Sequence, residues 1–288
     1  MGKGVKSVTV KELCSQVGIS RQGFYKARRE KVKQDLNELE IVEMVKLERF
    51  KHPMMGARKL HFKLKSLLFN AGIEIGRDRF FKVLKKHNLL IKRRVRYCKT
   101  TNSNHSFRKY NNLIKDIEII KPNQVWVSDL TYINTREGFL YLSLITDAYS
   151  RKIVGYEVND TLESIGCEKA LNKALKQLPF GERPIHHSDQ GIQYCSKIYT
   201  NKLKSRNMLI SMTEENHCYE NAQAERVNGI LKTEYYLGLK FDNKLLARRS
   251  CNQAIYLYNN DRPHLSLNMK TPNMVHLNFK TRSIKEFN

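Results

Sequence analysis

Two periodicities divide this chain. Up to about residue 90 the apolar positions recur at helical spacing, and from residue 124 short runs alternate apolar and polar with a period of two. Residues 124–133, 138–146 and 152–158 read as three strands with close connections, the last two joined through Asp147 and Ser150. Residues 161–178 predict an amphipathic helix, with Leu162, Ile165, Leu171, Ala174, Leu175 and Leu178 inward and Thr161 as its cap. A strand at 184–188, a helix at 196–207, a strand at 209–212 and helices at 221–237 and 247–258 follow, then a polar tail. Three strands followed by alternating helix and strand predict an α/β core, a mixed sheet covered by helices.

The first part predicts small helical modules. Residues 8–29 suit two short helices around a turn, with Leu13, Val17 and Ile19 buried, Gly18 in the turn and Ser20 capping the second helix. That is helix-turn-helix spacing, and the second helix would offer Arg21, Gln22 and Lys26 to a DNA groove; such pairs also occur as plain packing units. A charged helix is expected near 36–49, and a second basic helix pair at 56–68 and 76–86. The expected organisation is therefore a helix-turn-helix-like segment with a charged helix (1–50), a second helical module (51–98), a linker (99–121), the α/β core (122–275) and a tail (276–288).

Charge changes the picture. The chain carries a formal +24, of which +18 falls in residues 1–120 and +6 in the rest. An excess on that scale points to nucleic acid as partner. Arg93, Arg94 and Arg96, lying between the basic module and the core, suit contact with a phosphate backbone; a solvated linker is the plainer reading, and an RNA-coating protein the plainer reading of the chain. No run approaches the roughly 20 apolar residues of a membrane span, and no apolar segment follows the basic start. The six cysteines are scattered without zinc-ligand spacing, which suits reduced thiols in the cytoplasm.

Three carboxylates carry the candidate chemistry. Asp129 falls within the first strand, Asp189 just past the fourth, and Glu225 in the first turns of the helix after the fifth. Three converging carboxylates can hold two divalent ions against a phosphodiester, and an oxygen-only donor set favours Mg²⁺ or Mn²⁺. Glu225, Asn228 and Lys232 share one helix face, so Lys232 and Asn228 become candidate backbone contacts. Each acid also has an ordinary reading, Asp189 as an Asx turn among them. Asp147, Glu214, Glu215 and Glu234 compete for the same role.

The motifs resemble those of bacterial insertion-sequence transposases of the second-reading-frame type, whose catalytic core is like that of retroviral integrases. The matching runs are Trp126-x-x-Asp129-Leu130-Thr131-Tyr132, His187-Ser188-Asp189-x-Gly191-x-Gln193-Tyr194, and Cys218-Tyr219-x-Asn221-Ala222-x-x-Glu225 continuing to Lys232-x-Glu234. Tyr258-Asn259-x-x-Arg262-Pro263-His264 matches the terminal segment, and 35 residues separate Asp189 from Glu225. The resemblance covers nearly the whole chain and assigns the glutamate role to Glu225 rather than Glu234. It implies a ribonuclease-H-like fold and Mg²⁺-dependent joining of an element's 3′-OH ends to target DNA, with Asp129, Asp189 and Glu225 as metal ligands. Arg262 becomes a further candidate DNA contact. It also implies double-stranded DNA as partner, a homo-oligomer on paired ends and a small upstream-frame protein carrying a helix-turn-helix and leucine zipper. Arg226-Val227-Asn228-Gly229 departs from the family's usual residues after the glutamate. Two rivals stand beside this reading: a ribonuclease-H-like nuclease that cleaves without joining, and an inactive DNA-binding regulator.

Overall fold

The computed structural model describes residues 8–91, 106–214 and 221–285. It divides into two compact units, one of residues 1–50 and 60–90, the other of residues 51–59 and 91–288. The two expected helical modules thus fall largely within one unit.

In the helical unit, α1 (Val10–Val17) opens on a capping box, Thr9 and Glu12 satisfying each other's backbone N–H groups, and closes on Gly18 at φ 73°. Ser20 accepts from Gly23 N and starts α2, as its sequence context suggests. However, α2 (Arg21–Lys51) is one 31-residue helix, not a short helix followed by a separate charged one. Residues 30–35 contain neither Gly nor Pro, and Lys31 reaches Asp35 one turn on, so nothing stops the helix. α3 (Ala57–Asn70) and α4 (Arg77–Lys86) match the second helix pair. Ile41, Val42 and Val45 of α2, Leu60, Leu64 and Leu68 of α3, and Phe80, Val83 and Leu84 of α4 are buried. Leu13, Val17 and Ile19 are not buried as expected: they are 47%, 71% and 47% exposed, and Cys14 is the buried side chain of α1.

The second unit is built on a five-stranded sheet of β1 (Val125–Thr135), β2 (Gly138–Asp147), β3 (Ile153–Asn159), β4 (Ile185–Ser188) and β5 (Ile210–Met212). Their order is β3-β2-β1-β4-β5. β1 to β3 pair antiparallel as hairpins, while β4 joins β1, and β5 joins β4, in parallel. This is the mixed sheet of a ribonuclease-H-like fold. Parallel strands need crossovers, which α5 (Ser164–Gln177), the short α6 (Ile192–Cys195) and α7 (Lys197–Lys204) supply. Ser196, the residue before α7, accepts from Tyr199 N as its cap. Thr161 does not cap α5: the helix starts after Glu163, and Thr161 accepts from Asn159 Nδ2 instead.

Alternation along the strands sends Leu140, Leu142 and Leu144 to one face, against α8 (Ala222–Glu234) and α9 (Lys244–Asn260). Trp126, Ile145 and Val154 face the other way, against α5 and α7. Gly155 allows α5 to lie directly on β3, since a Cβ there would sit 2.3 Å from Ala170 O. The tail expected to be polar is helical: α10 (Pro272–Lys285) starts on a proline and packs on α9. Buried His276 ties α10 to the β2–β3 turn, its Nδ1 lying 3.0 Å from Ser150 Oγ.

Candidate active site

Register brings the two aspartates together. β1 and β4 run parallel with Ser128 opposite Ser188, so Asp129 of β1 and Asp189, the first residue past β4, follow this last pair and come close enough for Asp189's charge to act on Asp129. The third carboxylate comes from α8, whose first turn holds Glu225. Asn221, at the start of α8, donates from Nδ2 to Ser128 O at 3.1 Å and so pins the helix start to β1 one residue before Asp129. Two turns into the helix, Asn228 Nδ2 donates to Asp129 Oδ2 at 2.7 Å, while Leu130 N donates to Oδ1 at 2.8 Å. Asp189 Oδ1 accepts from Gly191 N at 3.0 Å, so its Asx turn and its place beside Asp129 coexist.

The electrostatics follow from this crowding. Asp129 is pushed up to about 7, first by burial and then by the negative charge of Asp189, with Glu225 adding to it; the bonds from Asn228 and Leu130 oppose the rise. Asp129 and Asp189 are half-buried while Glu225 stands exposed on α8, and like charges brought this close are costly without a cation. An oxygen-only donor set with this charge fits a hard divalent ion better than zinc.

The rival acids have other work. Asp147 is fully buried, accepting from Asn123 N, Ser150 N and Ser150 Oγ, and so shapes the β2–β3 turn. Glu234 accepts from Arg262 Nε at 2.8 Å and Nη2 at 2.7 Å, and from Lys59 Nζ at 2.8 Å. Burial pushes Glu234 up, but Arg262 and Lys59 outweigh it and hold the carboxyl below the usual carboxylate range. Glu214 is exposed, and Glu215 lies outside the described residues.

The expected DNA contacts divide. Lys232 sits on α8 seven residues beyond Glu225, about 10 Å along the helix. Asn228 is buried and bonded to Asp129, so it serves the carboxylate rather than a DNA backbone. Arg262 is only 4% exposed and forked onto Glu234, which takes its guanidinium out of reach of a phosphate. Arg21, Gln22 and Lys26 are exposed at the start of α2, and Arg93, Arg94 and Arg96 lie outside the described residues. Sequence reasoning missed Lys59 and His52, which join the same end of the core: His52 lies 2.9 Å from Asp261 and 3.0 Å from Tyr235. His52 lies in the short turn after α2 and Lys59 in the first turn of α3, and neither position indicates a long-range partner.

Integrase core domain models match residues 120–218 and 206–272. The chain is 33% identical over 268 residues to the insertion element IS600 uncharacterized 31 kDa protein of Shigella sonnei, covering 90% of this chain and 96% of that one. It is 31% identical to the transposase for insertion sequence element IS904 of Lactococcus lactis, over 73% of this chain and 84% of the relative. To the transposase for IS629 of Shigella sonnei it is 27% identical, over 87% and 85%. A solved HTLV-2 integrase catalytic core domain in complex with magnesium aligns with 55% of this chain and 98% of that one, at 19% identity and a TM-score of 0.43.

Proposed function

Because this chain belongs to the insertion-sequence transposases with an integrase core, and is thus a polynucleotidyl transferase acting on DNA, we propose that Asp129, Asp189 and Glu225 form its metal-binding catalytic centre. The observation that carries the reading is the register of β1 and β4, which sets Asp129 beside Asp189, with Glu225 close enough to raise Asp129's proton affinity.

In this reading Asp129 and Asp189, on the rigid sheet, hold the ions, and Glu225 completes the set from α8. Two Mg²⁺ ions, or Mn²⁺ in their place, supply activation of a water or 3′-hydroxyl and stabilisation of the leaving oxygen. Asn228 orients Asp129 so that one carboxylate oxygen stays on the site. Lys232 neutralises backbone phosphate further along α8. The helical unit, with Arg21, Gln22 and Lys26 exposed, adds groove and backbone contacts, as does the Arg93, Arg94 and Arg96 run. The working form is a homo-oligomer on paired element ends in the bacterial cytoplasm, assisted by the small upstream-frame protein.

The test is a strand-transfer assay with labelled element ends, target DNA and Mg²⁺. Joined products are expected from the native protein, and none from Asp129→Asn, whose salt-sensitive DNA binding stays near native. Cleavage without joining would establish the nuclease alternative, and full joining by the variant would remove Asp129 from the centre.

A further inference from the structure

Beyond the carboxylates, the far edge of the sheet carries a basic surface that the reading above leaves without a role. β5 is the edge strand, and residues 106–114 run along it as a strap. Met212 N donates to Asn111 O at 3.4 Å and Leu113 N to Ser211 Oγ at 2.9 Å, so one backbone amide and one side-chain hydroxyl of β5 hold the strap. Tyr110 packs into the α5–α7 core, and two cations lie against its ring: the Arg108 guanidinium at 5.2 Å and Lys204 Nζ at 5.9 Å from the centroid. Arg108 comes from the strap and Lys204 from the last turn of α7, so one aromatic ring gathers charge from two elements.

Two hollows flank this point. One, of about 460 Å³, is lined by Lys109, Tyr110, Asn112, Gln190 and Thr213, with one acid, Glu214, at its margin, and Gln190 is the residue after Asp189. The other, of about 440 Å³, lies between α5 and α7 and is lined by Lys176, Lys202 and Arg206 with Asn172 and Leu175. The first reaches from the neighbour of Asp189 to Tyr110, and the second opens on the α5 side of α7, where Lys202 and Arg206 stand one turn apart. Residues 197–207 hold four cations and no acid. Among the described residues none of Arg108, Lys176, Lys202, Lys204 and Arg206 forms an ion pair. A helix C-terminus favours a nearby cation, but that effect fades within one turn and does not account for charge contributed by the strap and α5.

We propose that this face is a track for the DNA backbone, leading away from the carboxylates along the β5 edge and holding the duplex beyond the reacting phosphodiester. The proposal rests on the transposase reading for its ligand, phosphodiester DNA, and adds the path that DNA takes. Each contacted phosphate releases condensed counterions, so the track should appear in the salt dependence of binding, with a slope of about 0.9 per contact.

The experiment uses the full chain in three forms: native; a track variant with Arg108→Ala, Lys202→Ala, Lys204→Ala and Arg206→Ala; and a charge-matched control with Lys115→Ala, Lys121→Ala, Lys240→Ala and Arg249→Ala. Binding to element-end duplex and to target duplex is titrated separately over a salt series, with thermal melts confirming the fold. The track variant is expected to lose about three and a half units of slope, and at least tenfold in affinity, for one or both duplexes, while the control stays near native. The duplex that loses affinity identifies which DNA lies on the track. Restoring Lys at positions 202 and 204 should recover about two units. Equal losses in track variant and control, or none in either, would overturn the proposal. Failure of the transposase reading shows differently, as absence of joined product from the native protein whatever the slopes.

Discussion

Asn228 Nδ2 donates to Asp129 Oδ2 at 2.7 Å, linking the helix that bears Glu225 to the strand that bears Asp129. The bond stabilises the ionised form of a carboxyl that burial and its acidic neighbours push towards protonation. Asn228→Ala should therefore lower strand transfer by about 10- to 100-fold, the usual effect of losing an outer partner of a metal ligand. Apparent affinity for DNA should change little. Steady-state kinetics against Mg²⁺ concentration would show the loss as a higher Mg²⁺ requirement.

Asp129 also predicts a pH-dependent cost in the metal-free protein. Its carboxyl is raised from 3.8 to about 7, so the native state keeps a proton that the unfolded chain has released. The cost grows as pH rises between those values and is complete above the higher one. Without metal, Asp129→Asn should melt several degrees above the native protein at about pH 8, and the difference should vanish near pH 4. Added Mg²⁺ should raise the melting temperature of the native protein alone.

Glu234, Arg262 and Lys59 form a buried network at the end of α8. Glu234→Gln leaves two cations without their counter-charge and should destabilise the core by about 3 kcal/mol in urea unfolding. The Glu234→Gln, Arg262→Met double variant should recover part of the loss, because both unpaired groups are then reduced to one.

His186 is fully buried beneath the site, its Nε2 2.7 Å from both Ser128 Oγ and Tyr199 Oη. Burial, followed by the charge of His187, lowers it to about 3 from 6.5. Below the unfolded value the unfolded chain takes up a proton that the native state refuses, so stability is lost as pH falls through that window, at up to about 1.4 kcal/mol per pH unit. His186→Gln should flatten this part of the urea-midpoint profile, although lost packing lowers its stability at neutral pH.

Much was legible along the chain because it depends on local pattern. The period-two runs placed all five strands, and the resemblance of the motifs to those of insertion-sequence transposases pointed to Asp129, Asp189 and Glu225 over the competing acids. Arg262 was misjudged for a physical reason: an arginine in a polar motif looks alike whether it faces a phosphate or a buried carboxylate 28 positions earlier. Asn228 was placed on the right helix face, but which acceptor that face meets depends on how α8 lies across β1. The helical tail was missed because its apolar Met274 and Leu277 stay exposed while the polar His276 is buried, which breaks the expected pattern.

The sequence by itself determined the alternation of elements, the basic character of the chain and the motifs that bear the candidate acids, since each is written in residue type and short-range order. The tertiary structure alone decided that β4 pairs in parallel with β1, that Ser128 meets Ser188, and that Asp129 and Asp189 therefore adjoin. It also decided that Arg108 and Lys204 converge on Tyr110, nearly one hundred residues apart in sequence. Register and convergence arise from long-range hydrogen bonding and packing, which composition and periodicity do not encode position by position.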